Sequence, residues 1–209
     1  MREKGILIVV SGFSGAGKGT LMKELVARYE ETYALSVSAT TRAPREGEQE
    51  GKEYFFKSKE EFEKMIAKEE LIEYAKYVEN YYGTPKEYVE KMLVSGKDVI
   101  LEIEIQGALK VKEKFPDTLL LFVTPPSAEE LKQRLLKRGT ETMDVIASRL
   151  RRASEEAEGM ELYDYLVVND DLQTCAEQMH EIIQAEHMRS SRNAAFIENI
   201  QQELKKFTV

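Results

Sequence analysis

The chain has few of the features that several broad classes of protein require. It contains one cysteine, Cys175, among 209 residues, so it cannot form an internal disulfide, and this favours a reducing compartment such as the cytoplasm. Cys175 lies in a helical pattern, where packing is a more common role than reactivity. No apolar run is longer than a strand, so we expect no transmembrane helix and no membrane partner. The apolar stretch near the N-terminus is too short for a secretory signal.

An excess of positive charge is also absent. The chain carries 30 lysines and arginines against 38 aspartates and glutamates, a formal net charge of −8. A protein that binds nucleic acid usually presents a dominant basic face, so we expect no nucleic-acid partner. The arginines fall mainly into two groups, Arg42 with Arg45 and five between residues 134 and 152. Two local phosphate sites explain this distribution better than a polymer track does.

A glycine-rich loop near the N-terminus is the strongest signal that the chain carries. It joins an apolar run at residues 6–10, which predicts a buried parallel strand, to a helical pattern. The glycines let backbone N–H groups point at a polyphosphate, and the helix N-terminus and Lys18 add positive charge. A turn that binds nothing is the alternative, and the strand, lysine and helix together weigh against it. The residues of this predicted nucleotide-binding loop are Gly12, Ser14, Gly15, Ala16, Gly17, Lys18, Gly19 and Thr20.

The loop departs from the commonest pattern at one position. GxxxxGK[ST] places a hydroxyl directly after the lysine, whereas here Gly19 stands there and Thr20 follows. The GKGT ending is typical of small-molecule kinases that act on nucleotides. Mg²⁺ would then be held mainly by phosphates and water, with Thr20 nearby and no dedicated protein ligand.

Apolar strands alternate with helical patterns along the rest of the chain. This alternation predicts an α/β fold with one mainly parallel sheet and helices on both faces. Residues 80–83 predict a turn, and residues 84–87 predict a helix start with Pro85 at the first helical position. Ser58 and Glu61 have the spacing of a capping box at the start of another helix.

Arg42 and Arg45 lie three residues apart around a rigid proline. Arginine forks match phosphate oxygens, so the pair can clamp one phosphate group. Surface salt bridges explain such a pair about as often when it is taken alone. Tyr54 and Tyr82 can donate hydroxyls to the same phosphate, although packing is the more common role of a single tyrosine.

Six stretches of the sequence resemble the guanylate kinase family, whose members transfer a phosphoryl group from ATP to GMP. They occur in order over about residues 5–186, so their combined specificity is far above that of the loop alone. The stretches are GFSGAGKGT, SVSATTRAPREGEQEGKEYFF, LIEYAKYVENYYGTP, ILEIEIQGA, PPSAEELKQRLLKRGTET and YDYLVVNDD.

The resemblance implies a P-loop NTPase-type three-layer fold with a GMP-binding insertion and a helical lid. The expected boundaries are 1–34, 96–126 and 161–186 for the core, 35–95 for the GMP-binding region, 127–160 for the lid and 187–209 for a C-terminal helical extension. ATP and GMP are the expected partners of a monomer or homodimer, and Mg²⁺ is the expected cofactor.

The resemblance also assigns roles to single residues. Those implied at the GMP phosphate are Arg42, Arg45, Tyr54 and Tyr82; those at the guanine are Ser38, Glu73 and Thr84, with Glu102 and Glu104 near it. Those implied at ATP, beside the loop, are Asn169 near the adenine, Arg138 and Arg149 from the lid, and Arg134 and Arg152 as further candidates. Those expected to carry catalysis are Lys18, Arg42, Arg138 and Arg149.

The chemistry of a carboxylate suits guanine recognition. Glu73 can accept two parallel hydrogen bonds from N1–H and the exocyclic amine of guanine, whereas adenine presents an acceptor at the corresponding ring position. A site of this kind discriminates by roughly 10⁴-fold. Without the resemblance, Glu73 would be interpreted as a strand carboxylate that faces water.

Helical spacing supports a converging set of lid arginines. Arg134 and Arg138 share one face, and Arg149 and Arg152 share a face of the next helix. The alternative is a solvated basic face whose arginines pair with nearby glutamates. Phosphoryl transfer between bound nucleotides needs no protein nucleophile. We therefore expect the two histidines, His180 and His187, to have surface or packing roles.

Two departures and two rival functions accompany the resemblance. Phe13 stands where the family usually has proline, and an apolar stripe after residue 187 can either cap the core or mediate self-association. The first rival is an interaction module that keeps the fold without catalysis, which the intact GKGT and lid arginines oppose. The second is a related kinase for another phosphorylated small molecule.

Overall fold

The computed structural model describes residues 4–77, 79–137 and 142–207, and within them nine strands and eight α-helices. The strands are β1 Leu7–Gly12, β2 Tyr33–Leu35, β3 Ser38–Thr40, β4 Tyr54–Phe56, β5 Leu71–Tyr77, β6 Asn80–Pro85, β7 Asp98–Glu102, β8 Leu119–Thr124 and β9 Tyr165–Val168. The helices are α1 Lys18–Arg28, α2 Lys59–Ala67, α3 Lys86–Val94, α4 Ile105–Lys114, α5 Ala128–Lys137, α6 Met143–Ala157, α7 Leu172–His187 and α8 Ala194–Lys205.

Five strands form the core sheet in the order β2-β7-β1-β8-β9, and every pairing is parallel. The consecutive residues Ile8, Val9 and Val10 are fully buried, which requires cover on both faces of the sheet. The buried stripe of α1, which includes Leu21 and Leu25, supplies part of that cover. The predicted α/β fold is therefore confirmed. The carboxyl end of β1, at the centre of the sheet, leads directly into the glycine-rich loop.

A second sheet lies in the segment between β2 and β7. Its order is β4-β3-β6-β5, with β3 parallel to β4 and antiparallel to β6. Ala39, Phe62 and Leu71 form a separate small core, and the ring of Phe62 stacks on Tyr81 with centroids 5.2 Å apart. The capping box of Ser58 at the start of α2 is present, as predicted. This sheet carries five of the residues that the sequence analysis singled out, which are Ser38, Tyr54, Glu73, Tyr82 and Thr84.

Two local predictions in this region are wrong. Residues 80–83 form the first part of β6 instead of a turn, since their aromatic side chains fit a pleated strand and Tyr82 pairs with Ala75 on β5. Thr84 also belongs to β6, and Pro85 is the N-cap of α3 instead of its first helical residue. The Thr84 hydroxyl is used in the sheet, where it bonds to Glu73, and so does not cap the helix.

The C-terminal segment contains packing contacts and one exposed helix. Cys175 is buried, and His180 and His187 bond to Tyr33 at 2.7 Å and to Asp98 at 2.9 Å, so the predicted packing roles are confirmed. No residue of α8, all of which is described, is buried. Capping of the core by this helix is therefore wrong, and self-association stays a prediction. None of the described helices is long and apolar enough to cross a membrane.

Candidate active site

The glycine-rich loop curls around the end of its own lysine. Gly15 and Gly17 have φ angles of 99° and 89°, a conformation that L side chains rarely adopt. The Nζ atom of Lys18 donates hydrogen bonds to the carbonyls of Gly12 and Phe13, the latter at 3.1 Å. Thr20 is exposed at the start of α1. The loop thus has the strand, the glycine turn and the helix start that the sequence predicts.

Asn169 braces this loop from the end of β9. Its side-chain amide is buried and donates to the carbonyl of Ala16 at 2.8 Å. A Cβ at Gly17 would lie 2.6 Å from the same amide, and one at Gly12 would lie 2.1 Å from the carbonyl oxygen of Val123. These positions therefore need glycine for close packing as well as for conformation. The resemblance implies a place for Asn169 near the adenine, and the sequence carries no signal for this brace.

Phe13 anchors the loop by packing. Its ring meets Phe122 of β8 edge-on with centroids 5.1 Å apart, and Phe122 meets Tyr163 in the same way at 5.1 Å. The Phe13 side chain is buried in this aromatic row. Such edge-to-face pairs contribute beyond simple burial. At the position where the resemblance leads us to expect proline, Phe13 therefore anchors the loop in the core.

Helices α5 and α6 bring two predicted arginines to the loop. Arg149 on α6 donates through Nη1 to the hydroxyl of Ser14. Arg134 on α5 pairs with Glu130 at 2.8 Å and reaches the Ala16 carbonyl at 3.5 Å. The Arg138 prediction lies outside the described residues.

Arg152 is engaged elsewhere. It donates to Glu104 at 2.7 Å and to Glu156 at 3.1 Å, and its side chain is half exposed. For Arg152 the alternative of ion pairing with nearby glutamates therefore describes the contacts observed. Because Glu104 is the N-cap of α4, which follows β7, this pair also joins α6 to the end of the core sheet.

The second sheet collects the predicted phosphate residues around Arg42. The guanidinium carbon of Arg42 lies 5.3 Å from the centroid of the Tyr54 ring, and the rings of Tyr54 and Tyr82 are 6.1 Å apart. The pKa of Arg42 is raised, mainly by a hydrogen bond from its guanidinium to Glu48, with a smaller contribution from Tyr82. The Arg45 side chain is exposed at the same loop. Glu48 was not predicted, because it lies in a polar loop rich in glutamate.

Glu73 occupies a buried position on β5. The Thr84 hydroxyl donates to its Oε1 atom at 2.7 Å, so the interpretation of a carboxylate that faces water is wrong. Burial raises the pKa of Glu73, and the Thr84 hydrogen bond and the charges of Lys110 and Lys114 offset part of this shift. A buried carboxylate held by a neighbouring hydroxyl has a fixed set of acceptor directions.

Glu102 is the last residue of β7 in the core sheet, and Ser38 is the first residue of β3 in the second sheet. Glu102 is exposed, yet the surrounding protein atoms raise its pKa, and the charges of Lys18 and Lys23 lower it in part. The side chain thus lies within the field of the loop lysine. Ser38 begins β3 and stands opposite Tyr54 in the register of the sheet. Within the described residues, no group of three or more His, Cys, Asp or Glu side chains could hold a metal ion.

The parallel sheet, with the loop at the end of its central strand and Lys18 inside that loop, defines a fold of the P-loop NTPase type. Comparison with known proteins resolves the family within that class. The guanylate kinase family model matches residues 4–186, and the chain belongs to this family.

Individual relatives agree with the family assignment. The guanylate kinase of Bacillus anthracis is 53% identical over 194 residues, which cover 93% of this chain and 95% of the relative. The guanylate kinase of Bacillus subtilis strain 168 is 50% identical over the same shares. The crystal structure of guanylate kinase from Anaplasma phagocytophilum superposes with a TM-score of 0.69 at 34% identity, covering 91% of this chain and 90% of that one. The chain is thus an enzyme of the nucleoside monophosphate kinase class.

Proposed function

We propose that the protein transfers the γ-phosphoryl group of ATP to GMP, and to dGMP, to give ADP and GDP. The buried pair of Glu73 and Thr84 is the observation that carries this proposal. It places a carboxylate acceptor, fixed by a neighbouring hydroxyl, on the sheet that also carries the Arg42 cluster. A carboxylate acceptor suits the N–H groups of guanine and opposes adenine.

The donor half of the site is the loop between β1 and α1. We assign its glycines, with Ser14, Ala16 and Thr20, to the binding of the ATP phosphates. We assign Lys18 to the stabilisation of the negative charge on the γ-phosphoryl group during its transfer. Arg149 and Arg134 approach the loop from the lid, which supports a role at the same phosphates. We assign Arg138 to this set from the family pattern, and Asn169 to the adenine side.

The acceptor half is the second sheet. The GMP phosphate is a dianion at neutral pH, and it needs hydrogen-bond donors. Two arginines and two phenols can supply them, so we assign to this phosphate Arg42, Arg45, Tyr54 and Tyr82. The guanine contacts are assigned to Ser38, Glu73 and Thr84, with Glu102 and Glu104 near them. Glu102 also lies within the field of the loop lysine.

Catalysis in this arrangement consists of positioning and electrostatic stabilisation. The loop and the acceptor sheet hold the two phosphates for in-line transfer, and Lys18, Arg42 and Arg149 face the charge that spreads over the transferring group. Closure of the lid excludes water. Oxygen donors suit Mg²⁺, and the exposed Thr20 hydroxyl and Glu102 carboxylate fit that preference, with phosphates and water as its main ligands. When bound with ATP, Mg²⁺ neutralises phosphate charge.

The same proposal divides the chain into a nucleotide-binding core, a GMP-binding region at 35–95, a lid at 127–160 and a C-terminal extension. An enzyme with these substrates acts in purine nucleotide metabolism, in the recycling of GMP. We place it in the cytoplasm, where both nucleotides are available.

A coupled assay of ADP formation tests the function directly. Purified protein with ATP and Mg²⁺ is given GMP, dGMP, AMP or UMP in separate reactions, with Lys18→Ala as the inactive control. We expect turnover with GMP and dGMP and little with AMP or UMP. Absence of turnover with every acceptor would favour the interaction module, and a preference for another acceptor would favour a different kinase.

A further inference from the structure

Glu48 lies beside the Arg42 cluster and has no role in the function proposed above. It follows β3 in the loop that leads to β4, and its carboxylate faces Arg42. Oε1 accepts from Nη2 and Oε2 from Nη1, each at 2.9 Å. A two-point contact between a planar guanidinium and a carboxylate fixes both the direction and the rotation of the arginine.

Glu48 also holds the backbone of Arg45. Its Oε2 atom accepts from the Arg45 N–H at 2.7 Å, and its own N–H donates to the Arg45 carbonyl at 3.1 Å. The pKa of Glu48 is lowered, first by the hydrogen bond from Arg42 and then by the one from the Arg45 backbone. One carboxylate thus organises the side chain of one proposed phosphate ligand and the backbone of the other.

The surroundings of the pair differ from those of an ordinary surface ion pair. The exposed fractions of the Arg42 and Glu48 side chains are 15% and 18%, and the Tyr54 ring packs against the guanidinium. By contrast, Lys59 and Glu63 on α2 are 3.9 Å apart with exposed fractions of 63% and 51%. A surface pair of that second kind rarely fixes a side chain.

The contacts to Glu48 leave a usable edge on the guanidinium. Nη1 donates to Glu48 and to the Ala43 carbonyl, and Nη2 donates to Glu48, which together engage three of the five N–H donors. Nε–H and the second N–H of Nη2 form the side edge of the same plane. That edge matches two phosphate oxygens, and the Tyr82 hydroxyl, which also bonds to the guanidinium, can donate to the same phosphate. A phosphate can therefore bind Arg42 while Glu48 stays in place.

We propose that Glu48 is a positioning residue for the acceptor phosphate. It orients Arg42 and anchors the turn that carries Arg45, and it does not itself touch the substrate. This inference rests on the proposed function, because the phosphate concerned is that of GMP.

Glu48→Gln tests this role, because it keeps the size of the side chain and removes its charge and one of its acceptors. The dissociation constant of GMP is measured by calorimetry without ATP, and KM for GMP and for ATP is measured by steady-state kinetics. We expect a weakening of GMP binding by roughly 10- to 100-fold with KM for ATP and the melting temperature nearly unchanged. Glu46→Gln, an exposed change in the same loop, is the matched control and should leave every value unchanged.

A double-mutant cycle separates positioning from general damage to the loop. In an Arg42→Ala background, Glu48→Gln should weaken GMP binding little further, since Glu48 acts mainly through Arg42. Glu48→Asp keeps the charge and should recover part of the GMP affinity lost in the glutamine variant. Full additivity in the Arg42→Ala background would overturn the proposal.

Other outcomes are equally decisive. Unchanged GMP binding in Glu48→Gln would overturn the positioning role, and tighter binding would show that Glu48 competes with the phosphate instead. If the wild-type protein does not phosphorylate GMP, the proposed function is refuted. If the wild type and Glu48→Gln phosphorylate GMP equally well, only the inference about Glu48 is refuted.

Discussion

The hydroxyl of Thr84 on β6 donates a 2.7 Å hydrogen bond to Oε1 of Glu73 on β5, inside the second sheet. The two residues belong to antiparallel neighbours, so the contact fixes the carboxylate relative to the sheet. A buried carboxylate in this setting costs free energy when it is ionised, and the raised pKa of Glu73 records that cost. A carboxylate that is unfavourable for folding, yet can accept hydrogen bonds from a nucleobase, is typical of a binding site.

Glu73→Gln should reduce the preference for GMP over AMP while leaving KM for ATP nearly unchanged. The amide keeps one acceptor and replaces the other with a donor, so it no longer pairs with both N–H groups of guanine. We expect a fall in the GMP/AMP ratio of kcat/KM on the order of 10²-fold or more. Glu63→Gln on α2 is the control, and an unchanged ratio in Glu73→Gln would refute guanine recognition by this residue.

The same variant should be more stable than the wild type at neutral pH. Because burial raises the pKa of Glu73 in the folded protein, its contribution to stability is fully present below the unfolded pKa of about 4.3 and is lost as pH rises through the folded value. Glutamine does not ionise, so the melting-temperature difference between variant and wild type should grow in favour of the variant as pH rises to neutral. Calorimetry across this range measures it, and a constant difference would contradict the burial of charge.

Lys18→Ala should abolish most turnover in a folded protein. The Nζ atom now contacts the carbonyls of Gly12 and Phe13, and the alanine variant removes the only charge that the loop carries. We expect kcat to fall by roughly 10²- to 10³-fold, as for other single transition-state contacts. Circular dichroism checks the fold, and near-normal kcat with a native spectrum would exclude the phosphate role.

Arg149→Ala should lower kcat far more than Arg151→Ala on the same helix. Arg149 reaches Ser14 in the loop, whereas Arg151 is exposed. An arginine that stabilises the transferring phosphoryl group is typically worth about 10³- to 10⁵-fold in turnover. The dissociation constant of GMP should change little in either variant. Equal kcat values in the two variants would remove Arg149 from the catalytic set.

Cys175 should resist modification in the native protein. Burial raises the pKa of its thiol to about 11. At pH 8 only about one Cys175 side chain in a thousand is therefore in the reactive thiolate form. Labelling with a thiol reagent should therefore be slow until the protein is unfolded by denaturant. Rapid labelling of the native protein, measured by absorbance, would show that the helix opens locally.

The core was predictable from sequence because its strands are continuous apolar runs, as in the segment that includes Ile8 and Val10. The error at residues 80–83 arose because asparagine and glycine bracket the two tyrosines, and only the pairing with β5 and β3 shows that they form a strand. The edge strand β2 has three residues and was not predicted, since so short a run carries almost no pattern.

The candidate site also has a part that could be predicted from the sequence and a part that could not. The glycine-rich loop, Arg42 and Glu73 lie in stretches that resemble the guanylate kinase family, so they could be singled out as site residues. The brace from Asn169 to Ala16 joins residues 153 positions apart and depends on the end of β9 meeting the loop. Glu48 is one of several glutamates in a polar loop, and only the folded turn selects it as the partner of Arg42.

The carbonyl of Ala16 receives hydrogen bonds from Asn169 and from Arg134, which belong to different parts of the molecule. A rotation of α5 would move this carbonyl and reorient the neighbouring N–H groups of the loop, which we assign to the ATP phosphates. ATP affinity should therefore respond to substitutions in α5 that contact no nucleotide. ATP binding and the orientation of α5 would then be linked, so that a change in either one shifts the equilibrium of the other.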